Sequence, residues 1–138
     1  MCFLPGTLAL AAHHGLTMAE GHLPPVDGGA RLPPSSGGGG GGNPLLAMAE
    51  ELAYTCYLTF ARQPTHLAPE ITHFNYEETS RRGDDFYTKP ADSHYLLRPE
   101  TIESLWYLYY VTGNKTYQDW GWNIFQVCPL RFTTSVCK

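Results

Sequence analysis

The stretch Asn43 to Phe60, NPLLAMAEELAYTCYLTF, decides the fold class. Leu45, Met48, Ala49, Leu52, Ala53, Cys56, Tyr57 and Phe60 recur three and four residues apart, the period of one apolar helix face. Asn43 is a good N-cap, and Pro44 takes the first helical position, where a missing N–H costs nothing. Three further helices read in the same way. One follows Pro5-Gly6-Thr7 through Leu8, Leu10 and Ala12 to about His14, with Gly15 as its C′ residue. Another runs from Pro99 to about Thr112, where Gly113-Asn114 ends it; its expected buried stripe is Ile102, Leu105, Trp106, Tyr109 and Tyr110. The last covers Thr116 to about Gln126, with Tyr117, Trp120, Ile124 and Phe125 apolar. Residues 64–98 form a loop-rich connection in which Ile71-Thr72-His73-Phe74 alternates as a short strand. The pattern is all-α: about four paired helices, with a short strand or hairpin in the 64–98 connection.

Two segments fall outside that pattern. Leu16 to Asn43 is 28 residues of Gly/Pro-rich sequence without periodicity, including six consecutive glycines, Gly37 to Gly42. Glycine loses the most backbone entropy on ordering, so this insert (16–43) is expected to be disordered and is assigned no function. Residues 127–138, VCPLRFTTSVCK, form a divergent tail. The opening MCFLPGTLALAA is apolar enough for a signal-peptide core, but no Lys or Arg precedes it and Pro5-Gly6 interrupts it. A buried helix is the better reading. No run approaches the ~18 apolar residues of a membrane-spanning helix.

Nine Lys and Arg stand against thirteen Asp and Glu, a net charge of −4. With no basic cluster, a nucleic-acid surface is excluded. The 18 aromatic residues, nine of them Tyr, are a heavy load that belongs to a large core or lines a ligand cleft. Cysteines occur at 2, 56, 128 and 137. None forms a CxxC pair or a zinc-type cluster, so no metal-ligand set is read from the residues. An even count permits two disulfides in an oxidising compartment, with connectivity open. Asn114-Lys115-Thr116 is an N-glycosylation sequon, meaningful in a secretory protein.

The densest chemical signal is RPETIESL, Arg98 to Leu105. Glu100 and Glu103 lie three apart, so both carboxylates share one helix face near its positive end. An anionic Glu there can act as a general base toward water, with Arg98 orienting it or binding sugar hydroxyls. Glu in a first helical turn is also common without any such role. Glu70, in LAPEITHF, is a third carboxylate whose burial without a partner would be costly. Trp106, Trp120 and Trp122 have rings suited to stacking on sugars, although aromatics at helical spacing more often fill a core. Two or three carboxylates, an arginine and many aromatics suit a carbohydrate site.

CFLPGTLAL, LAPEITHFN, KPADSHYLLRPETIESLWYLY and YQDWGWNIFQ, in that order, resemble consecutive blocks of the class I α-1,2-mannosidases, glycoside hydrolase family 47, and most of all its endoplasmic-reticulum branch. The likeness covers Cys2 to Gly15 and Leu45 to Gln126, 96 of 138 residues, so 1–15 and 44–126 are expected to form part of a catalytic domain. The resemblance implies a sector of an (α/α)7 barrel. It further implies Ca²⁺-dependent, inverting hydrolysis of terminal α-1,2-linked mannose on oligomannose N-glycans, in the lumen of the endoplasmic reticulum or Golgi and with a membrane anchor in the full-length family. Glu100 matches the base that activates water, while Arg98, Glu103 and Glu70 match the sugar-binding and ion-surrounding shell. Cys2 and Cys56 match the family's disulfide positions.

The same resemblance places the remaining catalytic carboxylates before Met1 and the threonine that ligates Ca²⁺ after the last matching residue. Inverting glycosidases hold their acid and base carboxyls ~6.5–9.5 Å apart to admit a water. A chain with the base but neither the acid nor the direct metal ligand is expected to be inactive alone. The alternatives are a non-hydrolytic glycan-binding or quality-control member of the same superfamily, and a non-functional truncated product.

Overall fold

The structure is a computed structural model that describes residues 2–17, 43–75 and 85–132. In chain order it contains α1 (Leu4–His13), α2 (Pro44–Ala61), β1 (His73–Phe74), β2 (Phe86–Tyr87), a 3₁₀ turn (Pro90–Asp92), α3 (Glu100–Thr112) and α4 (Thr116–Phe132). The all-α expectation holds. The strand expected at Ile71–Phe74 shrinks to His73–Phe74, antiparallel to β2 with His73 opposite Tyr87 and Phe74 opposite Phe86. Most of the Gly/Pro insert, and the last residues of the tail, lie outside the described residues.

Local chemistry sets most helix ends where the sequence placed them, with three shifts, the first being that α1 starts at Leu4 and takes in Pro5-Gly6-Thr7 rather than following them. Asn43 Oδ1 accepts from Leu45 N at 2.9 Å, and its Nδ2 donates to Leu16 O at 2.8 Å, tying the start of α2 to the chain leaving α1. Gly113 closes α3 in the left-handed region at φ 68°, donating to Tyr109 O at 2.8 Å; that conformation is cheap only without a Cβ. Pro99 serves as N-cap of α3 rather than its first residue, so Glu100 opens the helix. Far from stopping near Gln126, α4 continues to Phe132. The added segment includes Pro129, which has no N–H to donate, so the helix passes through it with one rung of its hydrogen-bond ladder missing.

Ala9, Ala49, Ala53, Phe60, Leu105, Leu108, Tyr117 and Ile124 form the core, drawn from all four helices. α1 packs against both α2 and α3, and α4 lies on α3. At the α1–α3 crossing the helices come unusually close. A Cβ on Gly6 would lie 3.1 Å from Ser104 Cα and 3.1 Å from its Oγ, so a side chain at position 6 forces backbone to move. Phe3 gives α1 no side-chain cap. Ser104 supplies one from the neighbouring helix: its Oγ accepts from Gly6 N at 3.0 Å and donates to Cys2 O at 2.5 Å.

This approach corrects the expected face of α3. Thr101, Ser104, Leu105 and Leu108 are buried, whereas Ile102, Trp106 and Tyr110 are exposed. At Ser104 the inward side chain is small because α1 comes so close there, while Leu105 and Leu108 fill the core beside it. The same correction applies to Phe125 on α4, which is exposed while Tyr117 and Ile124 are buried.

A disulfide joins Cys2 to Cys56, with Cα atoms 5.9 Å apart. Closing a loop across 54 positions stabilises the fold by about 4 kcal/mol on the chain-entropy account. The 62–99 connection is fastened to the end of α2. Arg62 lies over the Phe86 ring at 4.8 Å, and Gln63 Nε2 donates to Thr88 Oγ1 at 3.2 Å.

Candidate active site

Of the four residues singled out in the sequence, Arg98, Glu100 and Glu103 fall at or just before the first turn of α3, and Glu70, from the connection after α2, meets Arg98 there. The chain reaches that turn through Leu97, whose φ of 56° lies in the left-handed region. A branched side chain there costs on the order of 1–3 kcal/mol, a strain kept only where surrounding contacts enforce it. The next residue supplies that contact. Arg98 Nε donates to Glu70 Oε2 at 2.9 Å, and Arg98 Nη2 donates to Glu70 Oε1. Both carboxylate oxygens therefore sit in the guanidinium fork, a geometry a lysine cannot reproduce.

Glu70 is held from its backbone as well. Its N–H is shared between Asp92 O at 3.0 Å and His94 O at 2.9 Å. Asp92 in turn accepts from His73 Nε2 at 2.9 Å, and the His73 ring stacks on Tyr87 with centroids 5.2 Å apart. The small sheet, the 3₁₀ turn and Glu70 thus form one hydrogen-bonded unit behind Arg98. Sequence reasoning assigned no role to Asp92 or His73. The signal was present in the quoted KPADSH block, but a pairing across 19 positions leaves no periodic trace.

Charge completes the arrangement. Hydrogen bonds from Arg98 hold the Glu70 carboxyl below the usual carboxylate range, outweighing the effect of partial burial. The same bonds, aided by the charge of Glu100, push the Arg98 guanidinium above its ordinary value. Arg98 is accordingly a permanent cation and Glu70 a permanent anion at neutral pH. Glu100 and Glu103 occupy the first turn of α3, where the helix dipole favours an anion by about 0.3–1 kcal/mol. Glu100 is half-buried and Glu103 exposed.

Calcium does not fit these residues as direct ligands. The Arg98 cation paired with Glu70 would repel a metal ion there, and no group of three or more His, Cys, Asp or Glu among the described residues could hold one. A cleft of about 280 Å³, lined by Tyr57, Phe60, Ala61, His66, Asn123, Ile124, Gln126 and Val127, lies between α2 and α4. It contains none of the four site residues. Of the three tryptophans, Trp120 stacks on Tyr57 at 4.5 Å, while Trp106 and Trp122 are exposed. Among the described residues no helix is long and apolar enough to cross a membrane.

The arrangement brings together a fork-bound carboxylate, a cation and two carboxylates on one helical turn. The sequence model of Glycosyl hydrolase family 47 matches residues 1–136. The chain belongs to this family. A human protein named endoplasmic reticulum mannosyl-oligosaccharide 1,2-alpha-mannosidase is 47% identical over 127 residues, covering 91% of this chain and 14% of that protein. The Schizosaccharomyces pombe protein of the same name is 39% identical over 133 residues, 96% of this chain and 23% of its own length. Mannosyl-oligosaccharide 1,2-alpha-mannosidase MNS3 of Arabidopsis thaliana is 39% identical over 137 residues, 91% of this chain and 20% of that protein. The chain therefore spans less than a quarter of the length of these relatives.

Proposed function

We propose that these residues form one sector of an (α/α)7 barrel that hydrolyses terminal α-1,2-linked mannose on oligomannose N-glycans in the lumen of the endoplasmic reticulum. The Arg98–Glu70 fork set directly before Glu100 carries this reading. In it Glu100 is the base that takes a proton from the attacking water. The water then adds to the anomeric carbon from the face opposite the leaving sugar, which inverts the configuration there. Arg98, forked onto Glu70, presents its cation beside the base. Glu70 and Glu103 offer carboxylate oxygens that accept hydrogen bonds from sugar hydroxyls, directly or through water. The acid that protonates the leaving oxygen comes from another sector of the barrel. Calcium, which contacts the sugar in this reading, draws its direct ligands from outside the described residues.

The 138-residue chain alone is proposed to be inactive, since base and acid must face each other across the scissile bond. Purified chain is expected to release no mannose from an α-1,2-linked substrate with or without calcium; calcium-dependent release would overturn this. The role of Glu100 is tested in a chimera, with residues 2–126 replacing the corresponding segment of the human relative. Mannosidase activity is expected in the chimera. Glu100→Gln is expected to lower kcat by roughly 10²–10⁴ with KM little changed. Retention of full kcat would remove Glu100 from the reaction.

A further inference from the structure

We propose that Asn114 is a glycosylation site, carrying an N-linked oligosaccharide on the turn between α3 and α4. The inference rests on the lumenal location proposed above. Asn114-Lys115-Thr116 is the only Asn-X-Ser/Thr triplet in the sequence, with X other than Pro. Its geometry leaves one atom free for the reaction. Asn114 N donates to Thr112 Oγ1 at 3.2 Å, its carbonyl accepts from Tyr117 N at 3.3 Å, and its Oδ1 accepts from Thr116 N at 3.0 Å. Nδ2 makes no hydrogen bond among the described residues, on a side chain that is half-buried between exposed Gly113 and exposed Lys115.

Transfer from a lipid-linked oligosaccharide diphosphate forms the bond from Nδ2 to C1 of the first sugar and breaks the C1–O bond to diphosphate. The diphosphate leaves with the electron pair, and a transferase base takes the Nδ2 proton. Oδ1 remains a carbonyl oxygen throughout, so the bond to Thr116 N survives modification and α4 keeps its cap. The position also spares the candidate active site. Glu100 opens the 13-residue α3 and Thr112 ends it, which separates Asn114 from Glu100 by about 20 Å along the helix. A glycan there projects from the far end of the helix.

The test translates the full 138-residue chain with microsomes, once as it stands and once behind a cleavable secretory signal that imposes lumenal entry. In the signal-bearing arm, chain protected from added protease is expected to show a mobility shift. Peptide N-glycosidase should remove it and leave Asp at 114. Thr116→Ser is expected to keep the shift and Thr116→Ala to abolish it; both leave the capping bond from the backbone N–H intact. Protected chain without a shift, or a shift that persists in Thr116→Ala, overturns the proposal. Unmodified chain left outside the microsomes supplies the unglycosylated reference band, and the signal-bearing arm decides the site independently of the lumenal reading.

Discussion

On one side of α3, Thr101, Ser104, Leu105 and Leu108 are buried beneath neighbouring helices. On the other, Ile102, Trp106 and Tyr110 stand exposed, with Trp106 and Tyr110 stacked on each other at 5.7 Å. The larger and more aromatic face is the one left in solvent. What selects the inner face is the distance of closest approach: Gly6 of α1 lies against Ser104, and only a small side chain fits there. Apolar bulk identifies a helix that packs. It does not identify the side on which the first neighbour sits.

The contrast is broken most strongly at its centre. Leu105→Ala is expected to destabilise the chain by about 2–5 kcal/mol through lost burial and a residual cavity, read from urea unfolding. Next comes the crossing itself. Gly6→Ala is expected to cost about 1–3 kcal/mol by overpacking. Ser104→Gly would not rescue it, since Ser104 Cα at 3.1 Å remains in place. Full rescue would show that the crossing is looser than described.

A smaller effect belongs to the polar end of α3. Glu70 is held as an anion by Arg98, so its folded pKa lies below the unfolded one. The stability this contributes is complete above the ordinary carboxylate pKa and is lost as pH falls through the lowered value. Arg98→Met is expected to move the Glu70 carboxyl midpoint upward, observed by carbon NMR titration; an unchanged midpoint would mean the fork is absent in solution. The smallest change is on the outer face. Trp106→Gln is expected to leave unfolding free energy within about 0.5 kcal/mol, and a large loss would mean that this face is covered.

The sequence disclosed helices better than faces. Asn43-Pro44 and Gly113 mark their helix ends because capping is local chemistry, legible one residue at a time. Ile102, Trp106 and Tyr110 misled because their spacing is helical whichever way the helix turns, and the contact that orients it joins positions 98 residues apart. β2 left little trace, being two residues long and given meaning only by its pairing with β1. In the site, Glu70 and Arg98 were each visible, and family resemblance gave both a role. Their direct pairing was not visible, because it spans 28 positions and depends on the kink at Leu97. Asp92 and His73 pair through their side chains across 19 positions, and Asp92 reaches Glu70 through a backbone carbonyl, which has no residue-type signature.

The bond between Cys2 and Cys56 makes the order of the chain partly dispensable. It spans the whole stretch from α1 to α2, so a protease cut anywhere between residues 18 and 42 would sever the polypeptide without freeing α1. The two fragments would travel as one species until a reductant was added. α1 is in that sense attached twice, once by sequence and once by sulfur, and insertions between the attachments lengthen a tether without detaching what it holds.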